Sequence, residues 1–231
     1  MRFWTIFRRK KGDDMSEDIG PIMKEWDEDT NAKNIRKIMG LDSKEKIQIR
    51  VEFGILQMEA DGRPDGKRPY GKESLLEHYL SLLEDYKQEY ATDKGFKLDN
   101  HDCERLGDEA TQYYHRYVSF FEIEDYVLAE RDTARNLRVF ELVRRYAEQQ
   151  DDALSLEKFK PYVIMMNSRA KSLICMNNDD YLGAINIIEE AIDKITDFYR
   201  DHELDESDIS RSQELAVLRA TLKDIRDKWE G

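Results

Sequence analysis

Residues 176 to 195, MNNDDYLGAINIIEEAIDKI, repeat the pattern of residues 121 to 140, FEIEDYVLAERDTARNLRVF, 55 positions further along the chain. Asp125, Tyr126 and Ala129 fall on Asp180, Tyr181 and Ala184, while Val118, Leu137 and Phe140 fall on Leu173, Ile192 and Ile195. Each unit reads as a helix, a tight acidic turn and a second helix. The alanine four places after the aspartate has a physical use: a small side chain lets paired helices touch where a large one would hold them apart. A repeated helix pair makes the chain mainly α, built of antiparallel helical hairpins.

Working outward, the helical period continues on both sides. Leu75, Leu76, Tyr79, Leu80, Leu83, Tyr86 and Tyr90 keep to one face of a helix that begins near Lys72 and ends before TDKGFKLDN. Asp99 is placed to cap a second helix carrying Leu106, Ala110, Tyr113, Tyr117 and Phe120 or Phe121, with Asp102 in its first turn. A third spans about Asp125 to Gln149 and buries Tyr126, Ala129, Thr133, Leu137 and Phe140. The fourth opens at Pro161, where a missing N–H costs nothing, and runs to about Met176. The fifth covers Tyr181 to Tyr199. The sixth opens with Ser210 and Gln213 at capping-box spacing and carries the seam Leu215, Leu218, Leu222, Ile225, Trp229, which is too short to imply a dimerising coiled coil. Short breaks between helices of similar length imply antiparallel neighbours.

Upstream of Lys72 the period is two. Ile47, Ile49, Val51, Phe53 and Ile55 alternate with Gln48, Arg50, Glu52 and Gly54, the mark of a half-buried strand. Ile35 and Ile38 precede MGLDSKE, so a small N-terminal β-hairpin with its turn near Gly40 to Lys44 is expected. The join to the helices is GILQMEADGRPDGKRPYG, residues 54 to 71, with four of the eleven glycines and two of the four prolines. Within it RPDG is set for a tight turn, Pro64 fixing the first central torsion and Gly66 closing it. The expected organisation is a tail over 1–20, the hairpin and loop over 21–71, and a helical domain over 72–231.

DDYLGAINIIEEAI resembles the second half of a tetratricopeptide repeat, with Asp180, Tyr181, Ala184, Ile188 and Ala191 in the places of its turn and its small or apolar residues. The likeness covers 161–200 and, more loosely, 110–149. The Leu-Gly pair of the first helix is missing, Asp179 stands in the place of the turn glycine, and the spacing departs from the roughly 34 residues of a regular array. This resemblance implies a helical groove for another protein. The terminal ELAVLRATLKDIRDKW resembles the UVR motif, a helical hairpin shared by nucleotide-excision-repair subunits B and C and by some protease-adaptor proteins. Leu218 and Arg219 match its Leu-Arg pair and Leu222 and Ile225 its following apolar places, while Ala220 replaces the family's aspartate. That resemblance implies an accessory role in a nucleic-acid or repair complex.

Composition narrows the classes. With 38% charged residues and few glycines or prolines among 231, the chain suits long solvated helices. A net charge of −13, from 37 Lys+Arg against 50 Asp+Glu, disfavours non-specific attraction to a polyanion, so a nucleic-acid contact would need a local basic patch. The first eleven residues, MRFWTIFRRKK, carry five bases and no acid. They read either as a peripheral aromatic and polybasic anchor or as a loose tail upstream of a start at Met15, and their order does not suit a signal peptide. No apolar run approaches the roughly 20 residues that span a bilayer. Cys103 and Cys175 read as reduced thiols, so a cytoplasmic protein is expected.

Nothing in the chain points to catalysis. GRPDGKRPYG is neither GxxxxGKS, GxxxxGKT nor GxGxxG, and it has prolines where a phosphate cradle needs free N–H groups. DNHDCE offers Asp99, His101, Asp102 and Cys103 as ligands but lacks CxxC or HExxH, and a helix start explains it. His78, His101, His115 and His202 lie far apart with no nucleophile motif, and Glu122, Glu124 and Asp125 form a turn. No catalytic residue, cofactor or metal site is expected.

The third helix holds the most informative surface. Arg131, Arg135, Arg138 and Arg145 fall in a stripe about 80° wide, opposite Thr133, Leu137 and Phe140, with no acid among them. Such a ladder of bidentate donors is either the wall of an anion-binding groove or the partner of acidic side chains on neighbouring helices. Tyr113, Tyr114 and Tyr117 on the preceding helix add aromatic contact to that wall or pack in the core. The loop bases Arg63, Lys67 and Arg68 are a second candidate contact surface or part of a stiff crossover. The expected site of a non-catalytic adaptor for an acidic segment of a protein partner is therefore Arg131, Arg135, Arg138, Arg145, Tyr114, Arg63, Lys67 and Arg68. A nucleic-acid or repair accessory is the alternative.

Overall fold

The computed structural model describes residues 18–26 and 34–230; the basic aromatic stretch 1–11 and Met15 lie outside the described residues. A short helix, α1 (Gly20–Glu25), precedes an antiparallel sheet of order β1 (Ile35–Met39), β2 (Glu45–Val51), β3 (Gly54–Glu59). The first turn falls where the sequence puts it, with Gly40 N donating to Lys44 O at 2.8 Å. The alternation from Ile47 to Ile55, however, is not one strand. It folds back at Glu52 and Phe53, so that Val51 pairs with Gly54 and Arg50 with Ile55. Phe53 keeps the apolar pattern yet stands at the tip, 84% exposed. Two-residue hairpin turns usually announce themselves with glycine or asparagine at their centre, and this one does not.

The helices follow as α2 (Leu75–Tyr90), α3 (Asn100–Glu122), α4 (Tyr126–Tyr146), α5 (Gln150–Ser155), α6 (Lys160–Met176), α7 (Tyr181–Asp201), α8 (Glu206–Ser210) and α9 (Gln213–Glu230). The protein is mainly α, with the small sheet at its N-terminal side. α3 pairs with α4, α6 with α7 and also with α4, and α9 covers α7 and α6. Ile47 and Met58 on the inner face of the sheet, with Ala60 just after β3, meet Phe120, Ala129 and Ala170 of the hairpins in one cluster. Ser212, not Ser210, caps α9, its Oγ accepting from Leu215 N at 3.3 Å, because Ser210 already closes α8. Leu215, Leu218 and Ile225 of the seam are buried, and Trp229 is half exposed.

The 55-residue repeat holds at the level of single backbone hydrogen bonds. Glu124 and Asp179 precede the two aspartates with φ of 65° and 59°. Asp125 N donates to Phe120 O and Asp180 N to Cys175 O, both at 2.9 Å. Asp125 Oδ1 then accepts from Leu128 N at 3.3 Å, and Asp180 Oδ1 from Gly183 N at 2.9 Å. A left-handed residue with a long backward bond closes the carbonyls of one helix, and the aspartate satisfies the donors of the next. Asp179 therefore does the work of a turn glycine, a conformation aspartate tolerates better than most residues. Ala129 and Ala184, the paired alanines, are both completely buried, as close helix approach requires.

α4 is enclosed by α3 on one side and α6 on the other. Asn136 Nδ2 donates to Ala110 O of α3 at 2.9 Å, and Asn167 Nδ2 of α6 donates to Thr133 Oγ1 at 3.0 Å. Burial on two sides explains why α4 hides polar residues outside its apolar stripe, among them Asp132, Arg135 and Asn136. Among the described residues no helix is long and apolar enough to cross a membrane.

Candidate functional site

The arginine ladder faces the chain itself. Arg131 Nε donates to Asp132 Oδ1 (3.0 Å), Nη1 to Asp61 Oδ1 (2.6 Å) and Nη2 to Ala60 O (2.8 Å). Arg135 is buried and paired with Glu109, which also accepts from the N–H of Leu75 at the start of α2 (2.9 Å). Arg138 lies 3.6 Å from Glu77, and Arg145 lies 2.5 Å from Asp93. Of the two readings of the ladder, pairing with acidic side chains of neighbouring elements is what the structure has, and burial removes Arg135 from contact with a partner. Tyr113 is buried beneath two guanidinium groups, with Arg135 3.9 Å and Arg116 4.7 Å from its ring centre.

Arg116 completes this clamp. It is 1% exposed, its Nε and Nη2 donate to Asp132 Oδ2 and Oδ1 at 2.6 and 2.9 Å, and its Nη1 reaches Glu59 O and Gly62 O, both at 2.8 Å. The hairpin of α3 and α4 thus grips the proline-glycine loop by its carbonyls. Inside the loop Gly66 N donates to Arg63 O at 2.9 Å, closing the RPDG turn. Arg63 bends inward to Asp65 (3.1 Å) and Glu109 (3.4 Å), whereas Lys67 and Arg68 stay exposed.

The acidic start of α3 is a capping box: Asp102 N donates to Asp99 Oδ1 at 2.8 Å and Asp99 N to Asp102 Oδ2 at 3.4 Å. Cys103 points into the core, and burial pushes its thiol up to about 12.

Tyr114 points elsewhere, into a cleft of about 450 Å³ between α3, α4 and α6, rimmed by the segment joining α5 to α6. Tyr114, Tyr117, Phe140, Leu156, Phe159 and Tyr162 supply its aromatic and aliphatic walls. Gly107 of α3 lies in the same wall, next to Leu156. Tyr114 stands perpendicular to Tyr117 with centroids 5.5 Å apart and faces Tyr162 at 6.2 Å. Burial pushes the phenols of Tyr117 and Tyr162 above their ordinary pKa. The rim is open: Tyr114 is 41% and Phe159 48% exposed. Size and lining are those of a site that takes an apolar group and orients it with few polar contacts.

No family model, curated protein or solved structure matches this chain. The cleft has to be read from its own chemistry. Of the eight residues of the expected site only Tyr114 reaches it, joined by Tyr117, which the sequence offered as either aromatic contact or core. Arg116 carried a legible signal, a cation at 3,4 spacing between Tyr113 and Phe120 on the buried face of a helix. Leu156 and Phe159 carried none, because LSLEKF is too short to show a period.

Proposed function

We propose that this chain is a non-catalytic adaptor that takes a segment of a partner protein into the aromatic cleft between its two hairpins. The cleft itself carries the reading. Exposed tyrosine and phenylalanine rings on a rigid frame are the side chains that dominate protein interfaces, offering large apolar contact at small entropic cost. Its walls are mostly aromatic and aliphatic, with Thr111 and Asn136 as polar lining side chains, a surface suited to binding. Lys158, with its ammonium 4.9 Å from the centre of the Phe159 ring, adds a cation to the rim and suits a partner segment with an acidic residue beside its apolar anchor. The resemblance of the hairpins to tetratricopeptide repeats agrees with this use. Affinity capture with the wild type and with Tyr114→Ala/Phe159→Ala, compared side by side, tests it. The same proteins recovered equally by both would sink the reading; loss from the variant, with retention by Leu182→Ala on the exposed side of α7, supports it.

A further inference from the structure

Tyr70 holds a conformation that a tyrosine has no intrinsic reason to adopt. In the turn Arg68-Pro69-Tyr70-Gly71, closed by Gly71 N donating to Arg68 O at 3.1 Å, Tyr70 takes φ 52° and ψ 26°. Glycine or asparagine is favoured at that place, and a Cβ is strained there. The other non-glycine residues of positive φ among those described have simple duties. Ala91, Glu124, Asp179 and Glu203 follow helix ends, and Ser43 lies in the first β-turn. Among the described residues Tyr70 alone puts an aromatic ring in this conformation.

The strained ring is displayed, not buried. It is 62% exposed, stacks on His78 with centroids 3.9 Å apart, and accepts a hydrogen bond from Arg105 Nη1 at 2.8 Å. Because Arg105 donates to the phenol oxygen, the phenol keeps its own proton to donate outward. Arg68 and Lys72 flank the turn in sequence. Among the described residues, none of Arg68, Lys72 and Arg105 has a carboxylate within ion-pair distance, and Lys72 Nζ rests on Ser81 Oγ at 3.2 Å. Asp102, the acid that acts on both His78 and Arg105, is already engaged by the Tyr79 hydroxyl and by Asp99 N. His78 is held below its ordinary pKa first by burial and then by the nearby Arg105 and Lys72, with Asp102 acting the other way, which places both cations close to the ring on which Tyr70 stacks. In a chain of net charge −13 this is a local exception.

We propose that Tyr70, Arg105 and Lys72, with Arg68 exposed at the start of the same turn, form a second binding site that takes an oxyanion, the phosphate or carboxylate of a partner's side chain. Backbone strain of this kind persists where the surroundings over-determine it, and it collects at binding sites. The guanidinium and ammonium groups supply charge-assisted hydrogen bonds, and the outward phenol adds one more donor. The site rests on the adaptor reading only for what carries the anion, so a test with small anions separates the two.

The full-length protein is titrated at pH 7 with inorganic phosphate and, separately, with a hexaglutamate peptide, ionic strength being held constant with chloride. The side-chain NMR signals of His78 and Arg105 are followed. Saturable shifts with at least one of the two anions are expected, weakened tenfold or more in Arg105→Gln and in Arg68→Gln/Lys72→Gln. Response to phosphate alone points to a phosphorylated partner, and response to the peptide to an acidic one. Shifts no larger than those with chloride, or unchanged in both variants, overturn the proposal, while leaving the aromatic cleft untouched.

Discussion

Replacing Asp132 by asparagine removes one charge and almost no volume from a place where two arginines converge. Asp132 and Arg116 are each 1% exposed, and the carboxylate receives two bonds from Arg116 at 2.6 and 2.9 Å and a third from Arg131 at 3.0 Å. Asparagine keeps one acceptor and turns an amide donor toward the guanidinium fork, so Arg116 is left charged and buried without its counter-ion. Breaking a buried pair from one side typically costs about 3–5 kcal/mol. For a chain of this length that is a fall in melting temperature on the order of 6–20 °C. Guanidinium unfolding, with the dependence on denaturant unchanged, is the assay. Arg138→Gln, which breaks the exposed 3.6 Å pair with Glu77, serves as the control and should cost less than about 1 kcal/mol. Removing both buried charges together, as Arg116→Met/Asp132→Leu, should leave a protein more stable than Asp132→Asn alone. A loss below about 1 kcal/mol in Asp132→Asn would refute the clamp, because that is the value of a pair held in water.

Two further outcomes follow from the hairpin turns and the α4 terminus. Asp180→Ala removes a helix cap and should cost about 1 kcal/mol, whereas Asp125→Ala also releases Lys37 of β1, bound at 2.6 Å, and should cost more by up to about 1 kcal/mol; equal losses by chemical denaturation would contradict the tie between sheet and hairpin. Asp93 titrates below the ordinary carboxylate range because the Tyr146 hydroxyl donates to it at 2.8 Å and Arg145 stands beside it. Its native pKa is the depressed one, so its contribution is present above the ordinary carboxylate pKa and is lost as pH falls through the native value. Tyr146→Phe should move the Asp93 titration upward in a carboxylate-detected NMR experiment, and an unchanged midpoint would exclude that hydrogen bond as the cause.

The helices were legible because amphipathic periods and capping residues are local. Asp99, Asp125 and Asp180 cap where their positions say they should, and the 55-residue repeat extends to matching backbone bonds. The sheet was half legible: hydrophobic alternation identified β2 but carried through the reversal at Glu52 and Phe53, since a tight turn without glycine at its centre leaves no mark in a period of two. Charge placement was hardest. The stripe of Arg131, Arg135, Arg138 and Arg145 is real as a helix face, yet apart from Asp132 beside Arg131 the carboxylates that meet it, Asp61, Glu77, Asp93 and Glu109, are distant in sequence. Periodicity places a residue on a face; only tertiary structure says what stands opposite. The cleft was invisible for the same reason, as its walls come from three helices and a short connector.

Binding of a partner in the cleft between the two hairpins, as proposed above, is open to a direct test. A photoreactive benzoylphenylalanine placed at Phe159, in the rim, and another at Leu182, exposed on α7, test it in the native cell. A partner seated in the cleft gives a discrete cross-linked species from position 159 that disappears when Tyr114→Ala is added, and none from position 182. Cross-linking from 182 with nothing from 159 would place the partner on the other side of the protein and contradict it.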